Sequence, residues 1–162
     1  EARLEGIWDA ATKREVARVF SQLDATYAPL AWNAASRTLD RYAEMWIAER
    51  TEACRATRVR GDQSDELMDL RMACLDRRMT EFREFASTLK HADDAMATKA
   101  ATAVLELTPI DACRDATRLR AVAPSRDPIV RQRSKNVEEL LARAKAGLQV
   151  GDPSASQRGL RL

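Results

Sequence analysis

Glu49-Arg50-Thr51-Glu52-Ala53-Cys54-Arg55-Ala56-Thr57-Arg58-Val59-Arg60-Gly61-Asp62-Gln63-Ser64-Asp65-Glu66-Leu67 is the stretch that decides the fold. Upstream of it, Trp32, Leu39, Tyr42, Trp46 and Ala53 fall in one broad stripe at about 100° per residue, the mark of a long amphipathic helix reaching Val59. Downstream, Leu67, Leu70, Cys74, Phe82, Phe85 and Leu89, flanked by Leu75 and Met79, repeat at the same period to about His91. Gly61 supplies a left-handed stop, and Asp62 or Ser64 offers an oxygen to the first free amides of the next helix. A connection of about five residues makes the two helices antiparallel neighbours. The expected fold is therefore all-α: an antiparallel helical bundle with two long central helices.

The rest of the chain is read outward from that hairpin. Val16, Val19, Phe20 and Leu23 predict a first helix from about Trp8 to Asp24, broken at Tyr27-Ala28-Pro29. Asp93 or Asp94 opens a fourth, with Met96, Ala100, Ala103, Val104 and Leu107 on one side. Thr108-Pro109-Ile110-Asp111 reads as cap, first-position proline and first-turn acid of a short fifth helix carrying Cys113. Pro124-Ser125-Arg126-Asp127-Pro128 is the clearest boundary, dividing a bundle over 1–123 from a linker and final helix in 124–162. That helix runs to about Val150 and carries Val130, Val137, Leu140, Leu141, Ala144 and Leu148, which are expected to pack on the bundle or to self-associate. Gly151-Asp152-Pro153 turns the chain, and Ser154-Ala155-Ser156-Gln157-Arg158-Gly159 has too little apolar content for a second packed helix.

Composition narrows the classes of function. With 162 residues, 45% hydrophobic and only five glycines and five prolines, the chain can bury one core. Lysine and arginine outnumber the acids by only two, so no strong field draws it to nucleic acid or an acidic membrane. The arginines at 50, 55, 58 and 60 are threaded with Glu49, Glu52, Asp62, Asp65 and Glu66, which is a solvated, ion-paired surface. No apolar run reaches the length of about 18 residues needed to span a bilayer. The absence of a leading methionine and the polar tail suggest an excised piece of a longer protein.

No catalytic constellation stands out. There is no glycine-rich phosphate loop, nucleophile elbow or separable carboxylate pair. His91, the single histidine, sits near a helix end where a cation is favoured anyway. Cys54, Cys74, Cys113 and His91 do not follow a recurrent zinc spacing, and neither metal nor other cofactor is expected. Trp32 and Trp46 lie at core spacing, which favours packing over a ligand box. The three cysteines leave three readings open: all reduced and buried, a Cys54–Cys74 bond across the hairpin if the compartment is oxidising, or a bond in which Cys113 displaces either partner.

The run Trp46-Ile47-Ala48-Glu49-Arg50-Thr51-Glu52-Ala53-Cys54, then Arg58-Val59-Arg60-Gly61-Asp62-Gln63-Ser64, then Leu67-Met68-Asp69-Leu70-Arg71-Met72-Ala73-Cys74-Leu75-Asp76-Arg77-Arg78, resembles the segment that follows the catalytic domain in a family of bacterial receptor-like serine/threonine protein kinases. In that family a kinase domain is followed by a membrane span, this helical segment and tetratricopeptide (TPR) repeats. The resemblance extends over most of the chain, and it makes the final helix look like the opening of a TPR-like helical array. It implies an extracytoplasmic sensor or spacer that interacts with protein partners or with itself, and with that location the Cys54–Cys74 bond. A cytoplasmic scaffold binding partner peptides is the alternative. His-Arg-Asp and Asp-Phe-Gly are both missing, so this piece is not expected to transfer phosphate itself.

Overall fold

The computed structural model describes residues 4–125 and 127–152. Six α-helices occur there: α1 (Ala10–Ser21), α2 (Ala28–Arg58), α3 (Asp65–Leu89), α4 (Asp94–Ala103), α5 (Ala116–Ala121) and α6 (Pro128–Val150). Short 3-10 turns at Val104–Glu106 and Asp111–Arg114 link α4 to α5. The architecture is an all-α bundle, with α2 packed against α1, α3 and α4. The tail at 154–162, read from sequence as too polar to pack, lies outside the described residues.

The central hairpin forms as its turn chemistry requires. Gly61 adopts φ +71°, and the Asp62 amide closes back on the Ala56 carbonyl at 2.8 Å. Ser64 then caps α3, its hydroxyl accepting from the Leu67 amide at 3.2 Å, and Asp65 and Glu66 place charge against the positive helix end. Cross-links set the register: Trp46 Nε1 donates to the Leu75 carbonyl at 2.8 Å and Arg50 pairs with Asp76 at 2.6 Å. Leu75 and Met79, placed at the flank by periodicity, are in the core, whereas Leu67 and Leu70 are only partly buried. The Trp46–Leu75 cross-link lies about three turns from the hairpin end, so the α2–α3 contact takes in those middle positions.

Rings dominate the centre. Phe82 on α3 stacks on Tyr42 of α2 with centroids 5.4 Å apart, and Trp8 meets Phe82 edge-on at 5.7 Å. Full burial of a phenylalanine contributes about 2–3 kcal/mol, and each ring pair adds about 0.5–1.5 kcal/mol beyond its area. Trp8 itself lies outside α1, which starts two residues later than expected. Asp9 is the reason: its carboxylate accepts from the Thr12 amide at 2.8 Å and the Gly6 amide at 2.7 Å, and those bonds pull its pKa down to about 2.

Two expectations fail downstream of α4. Thr108-Pro109 does not open a helix, because every polar group of Thr108 is engaged elsewhere. Its carbonyl accepts from Tyr42 Oη at 2.9 Å, its hydroxyl accepts from Lys145 at 2.9 Å and its amide donates to Glu81 at 3.4 Å. Cys113 therefore sits in the 3-10 turn, and α5 starts only at Ala116, capped by Asp115.

The second concerns α6: packing of its large apolar stripe on the bundle, one of the two outcomes expected for it, does not occur. Asp127 caps it and Gly151 ends it in the left-handed conformation, as its sequence signals. Yet the side packed on α3 and α4 is Ala142, Ala146, Gly147 and Val150, not the larger stripe containing Val137, Leu141 and Leu148. Small residues let the α6 backbone approach the bundle closely, and Ala146 and Val150 join the same core as Phe82 and Leu89. The helix thus packs across the boundary expected at 123/124.

Candidate interaction surface and its anchors

Cysteine pairing is the first correction. Cys74 is bonded to Cys113, with Cα atoms 5.6 Å apart, and Cys54 is free and exposed. The hairpin register rules out the expected Cys54–Cys74 bond: Trp46, not Cys54, reaches α3 at Leu75, so Cys54 lies about two turns away from Cys74 along the pair. Inward positions at that end of α2 are Ala53 and Ala56, and Cys54 turns away from them into solvent. Sequence had left Cys113 open as a partner, but nothing in its local pattern showed that the 111–114 turn would be folded back onto α3.

Beside the disulfide lies a charged clamp. Glu49 on α2 is buried, and its carboxylate accepts from Arg71 of α3 at 3.4 Å and, through both oxygens, from Arg114 next to Cys113. Hydrogen bonding to Glu49 raises the pKa of the Arg114 guanidinium. Gln63 completes the group by accepting from Arg71 at 2.9 Å while donating to the Ala53 carbonyl at 2.9 Å. These bonds tie α2, α3 and the 111–114 turn together, so the clamp is structural. Glu49 had been read as a member of a solvated surface; its burial comes from the tertiary register.

A second knot holds α6. Glu81 on α3 is half-buried; burial alone would raise its carboxyl, but Thr108, Arg78 and Lys145 outweigh that and hold its pKa below the usual carboxylate range. Lys145 donates to Glu81 at 3.3 Å and Arg143 to Glu84 at 3.1 Å, which fastens the second half of α6. Burial, with Glu81 adding, pushes the neighbouring Tyr42 phenol up.

The first half of α6 has no such support, since every residue from Pro128 to Val137 is exposed. On the side opposite Ala146, positions 130, 134, 137, 141, 144 and 148 recur at spacings of four and three. Val130, Val137, Leu141 and Leu148 there are 44–64% exposed. Two shallow grooves lie along this face. One is lined by Val130, Arg133, Ser134, Val137 and Glu138, the other by Leu141, Ala144, Lys145, Leu148, Gln149 and Glu106 of the 3-10 turn after α4. The Gln149 Nε2 is buried without a hydrogen-bond partner. The strip is backed by packing only along its second half, where Ala142, Ala146, Gly147 and Val150 face the bundle.

Other residues weighed from sequence are not gathered into a site. His91 is exposed just beyond the end of α3. Trp46 is buried and its face is covered by Arg50 at 5.2 Å; Trp8 and Trp32 pack on each other at 6.1 Å. Among the described residues no three His, Cys, Asp or Glu side chains are grouped to hold a metal ion, and no helix is long and apolar enough to cross a membrane. No family model, curated protein or solved structure matches the chain.

Proposed function

We propose that the chain is a non-catalytic helical sensor or spacer module that works by protein–protein contact, in the extracytoplasmic part of a membrane-anchored bacterial serine/threonine kinase with TPR repeats. The observation that carries the contact role is the outward face of α6, where four large apolar side chains stand exposed and the second half of the helix is anchored from behind. The kinase context rests on the resemblance of residues 46–78. A buried Cys74–Cys113 bond supports an oxidising compartment, because such bonds persist outside the reducing cytoplasm.

The decisive experiment uses the full natural protein. Replacing Val137 and Leu141 together by aspartate is expected to change autophosphorylation while the thermal midpoint of the bundle stays put. Unaltered phosphorylation with an intact fold overturns the contact role. In intact cells, Cys54 should react with a membrane-impermeant maleimide, and labelling only after lysis overturns the outer location. A cytoplasmic scaffold is the second reading, favoured by the exposed free thiol of Cys54, which reducing surroundings preserve.

A further inference from the structure

We infer that α6 is a hinged arm, which swings off α3 and α4 as a unit while the rest of the bundle stays folded, with Glu81, Lys145 and Thr108 as its latch. The inference goes beyond the contact role proposed above and does not depend on it.

How little of the core α6 supplies is the first support. Its share of the buried apolar cluster is Ala146 and Val150, whereas the rings of Phe20, Tyr42, Trp46, Phe82 and Phe85 come from α1, α2 and α3. Apolar stabilisation scales with the area removed from water, so the small-residue side of α6 holds far less than the ring-bearing sides of the central helices. The Tyr42–Phe82 stack, the Cys74–Cys113 bond and the Glu49–Arg71 pair involve no residue of α6. All three persist when the arm leaves.

The polar fastening of α6 to α3 is by ion pairs. Those of Glu138 with Arg77 and Glu139 with Arg83 are 4.0 Å long and largely exposed, and such pairs contribute little. Arg143 reaches Glu84 at 3.1 Å from a side chain that is itself exposed. Lys145 is different, because its ammonium meets both the half-buried Glu81 carboxylate at 3.3 Å and the Thr108 hydroxyl at 2.9 Å. Glu81 and Thr108 are held in place without it: Arg78 donates to Glu81 at 2.8 Å, and Tyr42 donates to the Thr108 carbonyl at 2.9 Å. The seat of the latch thus belongs to the bundle and its bolt to α6.

A hinge stands at the near end of the arm. Residues 122–125 and Asp127 are exposed, and their hydrogen bonds among the described residues go to Arg118 and to neighbours within 125–131. Just upstream, Leu119 is buried and Cys113 is bonded to α3, so opening stops at α5. A segment with few buried apolar contacts, joined through an exposed connection, is the kind of unit that opens below the global unfolding energy.

Native-state hydrogen exchange of the whole chain tests it, each amide corrected for its intrinsic rate. The packed half of α6, residues 141–148, is expected to exchange at least about 100-fold faster than residues 39–46 of α2 and 75–82 of α3, with one shared rate to within about threefold. Glu49→Gln weakens a clamp that stays closed in the open form, so it should speed α2 and α3 about 100-fold and leave 141–148 unchanged. Lys145→Met should speed 141–148 about tenfold. Circular dichroism of both variants should match the parent.

Equal protection in the three segments overturns the inference, as does acceleration of 141–148 by Glu49→Gln as large as that of α2, since α6 then leaves only with the whole bundle. Rates that climb steadily toward Val150 are fraying and overturn the hinged unit. Exchange at 141–148 indifferent to Lys145→Met overturns the latch.

Discussion

Cys74 and Cys113 lie 39 residues apart in sequence and are bonded with their Cα atoms 5.6 Å apart, so that the bond closes a loop containing the rest of α3, all of α4 and the first 3-10 turn and ending within the second. Arg114, the next residue, reaches Glu49 across the same joint. Covalent and ionic ties thus hold one short turn to the two long helices.

Closing a loop of that length constrains the unfolded chain by about 4 kcal/mol on the chain-entropy model. Cys74→Ala/Cys113→Ala should accordingly lose about 2–4 kcal/mol in urea denaturation. Non-reducing peptide mapping should link the Cys74 and Cys113 peptides, with Cys54 alkylated in the native protein. A Cys54-containing disulfide peptide would contradict the pairing.

Glu49 should be the most sensitive charged residue of the bundle. Glu49→Gln leaves the Arg71 guanidinium buried with a neutral partner, and such unpairing costs about 3 kcal/mol. Arg114→Ala removes a partner whose side chain is 65% exposed, and should cost under about 1 kcal/mol. Equal losses for the two variants, measured by chemical denaturation, would sink the distinction.

Stability should fall on acidification partly through Glu81. Its folded pKa is depressed, so the native state releases that proton more readily than the unfolded chain. The contribution is therefore fully present above the unfolded value of about 4.3 and is lost as pH falls through the folded one. Comparing Glu81→Gln with the parent, the gap in thermal midpoint should be largest near neutrality and should narrow below about pH 4. A gap that widens with acid would refute the sign.

Gly151→Ala should shorten or strain the end of α6. The residue sits at φ +77°, and an added Cβ would run into Lys99 Nζ. The left-handed backbone alone costs a non-glycine residue about 1 kcal/mol. Amide exchange at Leu148 to Asp152 should accelerate in the variant, with α2 and α3 unaffected; unchanged protection at those amides would count against the strain.

Hairpin, caps and helix count were legible because they depend on neighbours in the chain. Gly61, Ser64, Asp93, Asp127 and Gly151 act through backbone amides and carbonyls within about one turn, and periodicity marks an apolar side whatever it packs against. Even the error at Trp8 was local, since the Asp9 cap that excludes it from α1 was there to be read.

What the chain could not reveal by itself is which of two apolar sides of a helix faces the bundle, and which distant groups meet. On α6 the bulky stripe of Val137, Leu141 and Leu148 has the stronger periodic signal, but the bundle surface of α3 and α4 accepts the small side at Ala142 and Ala146. Close packing selects by shape, and shape belongs to both surfaces at once. The same holds for Cys113, Glu49 and Lys145. Each has an ordinary local context, and its partner is chosen by how α2, α3 and α6 cross in space, a relation that no window of sequence contains.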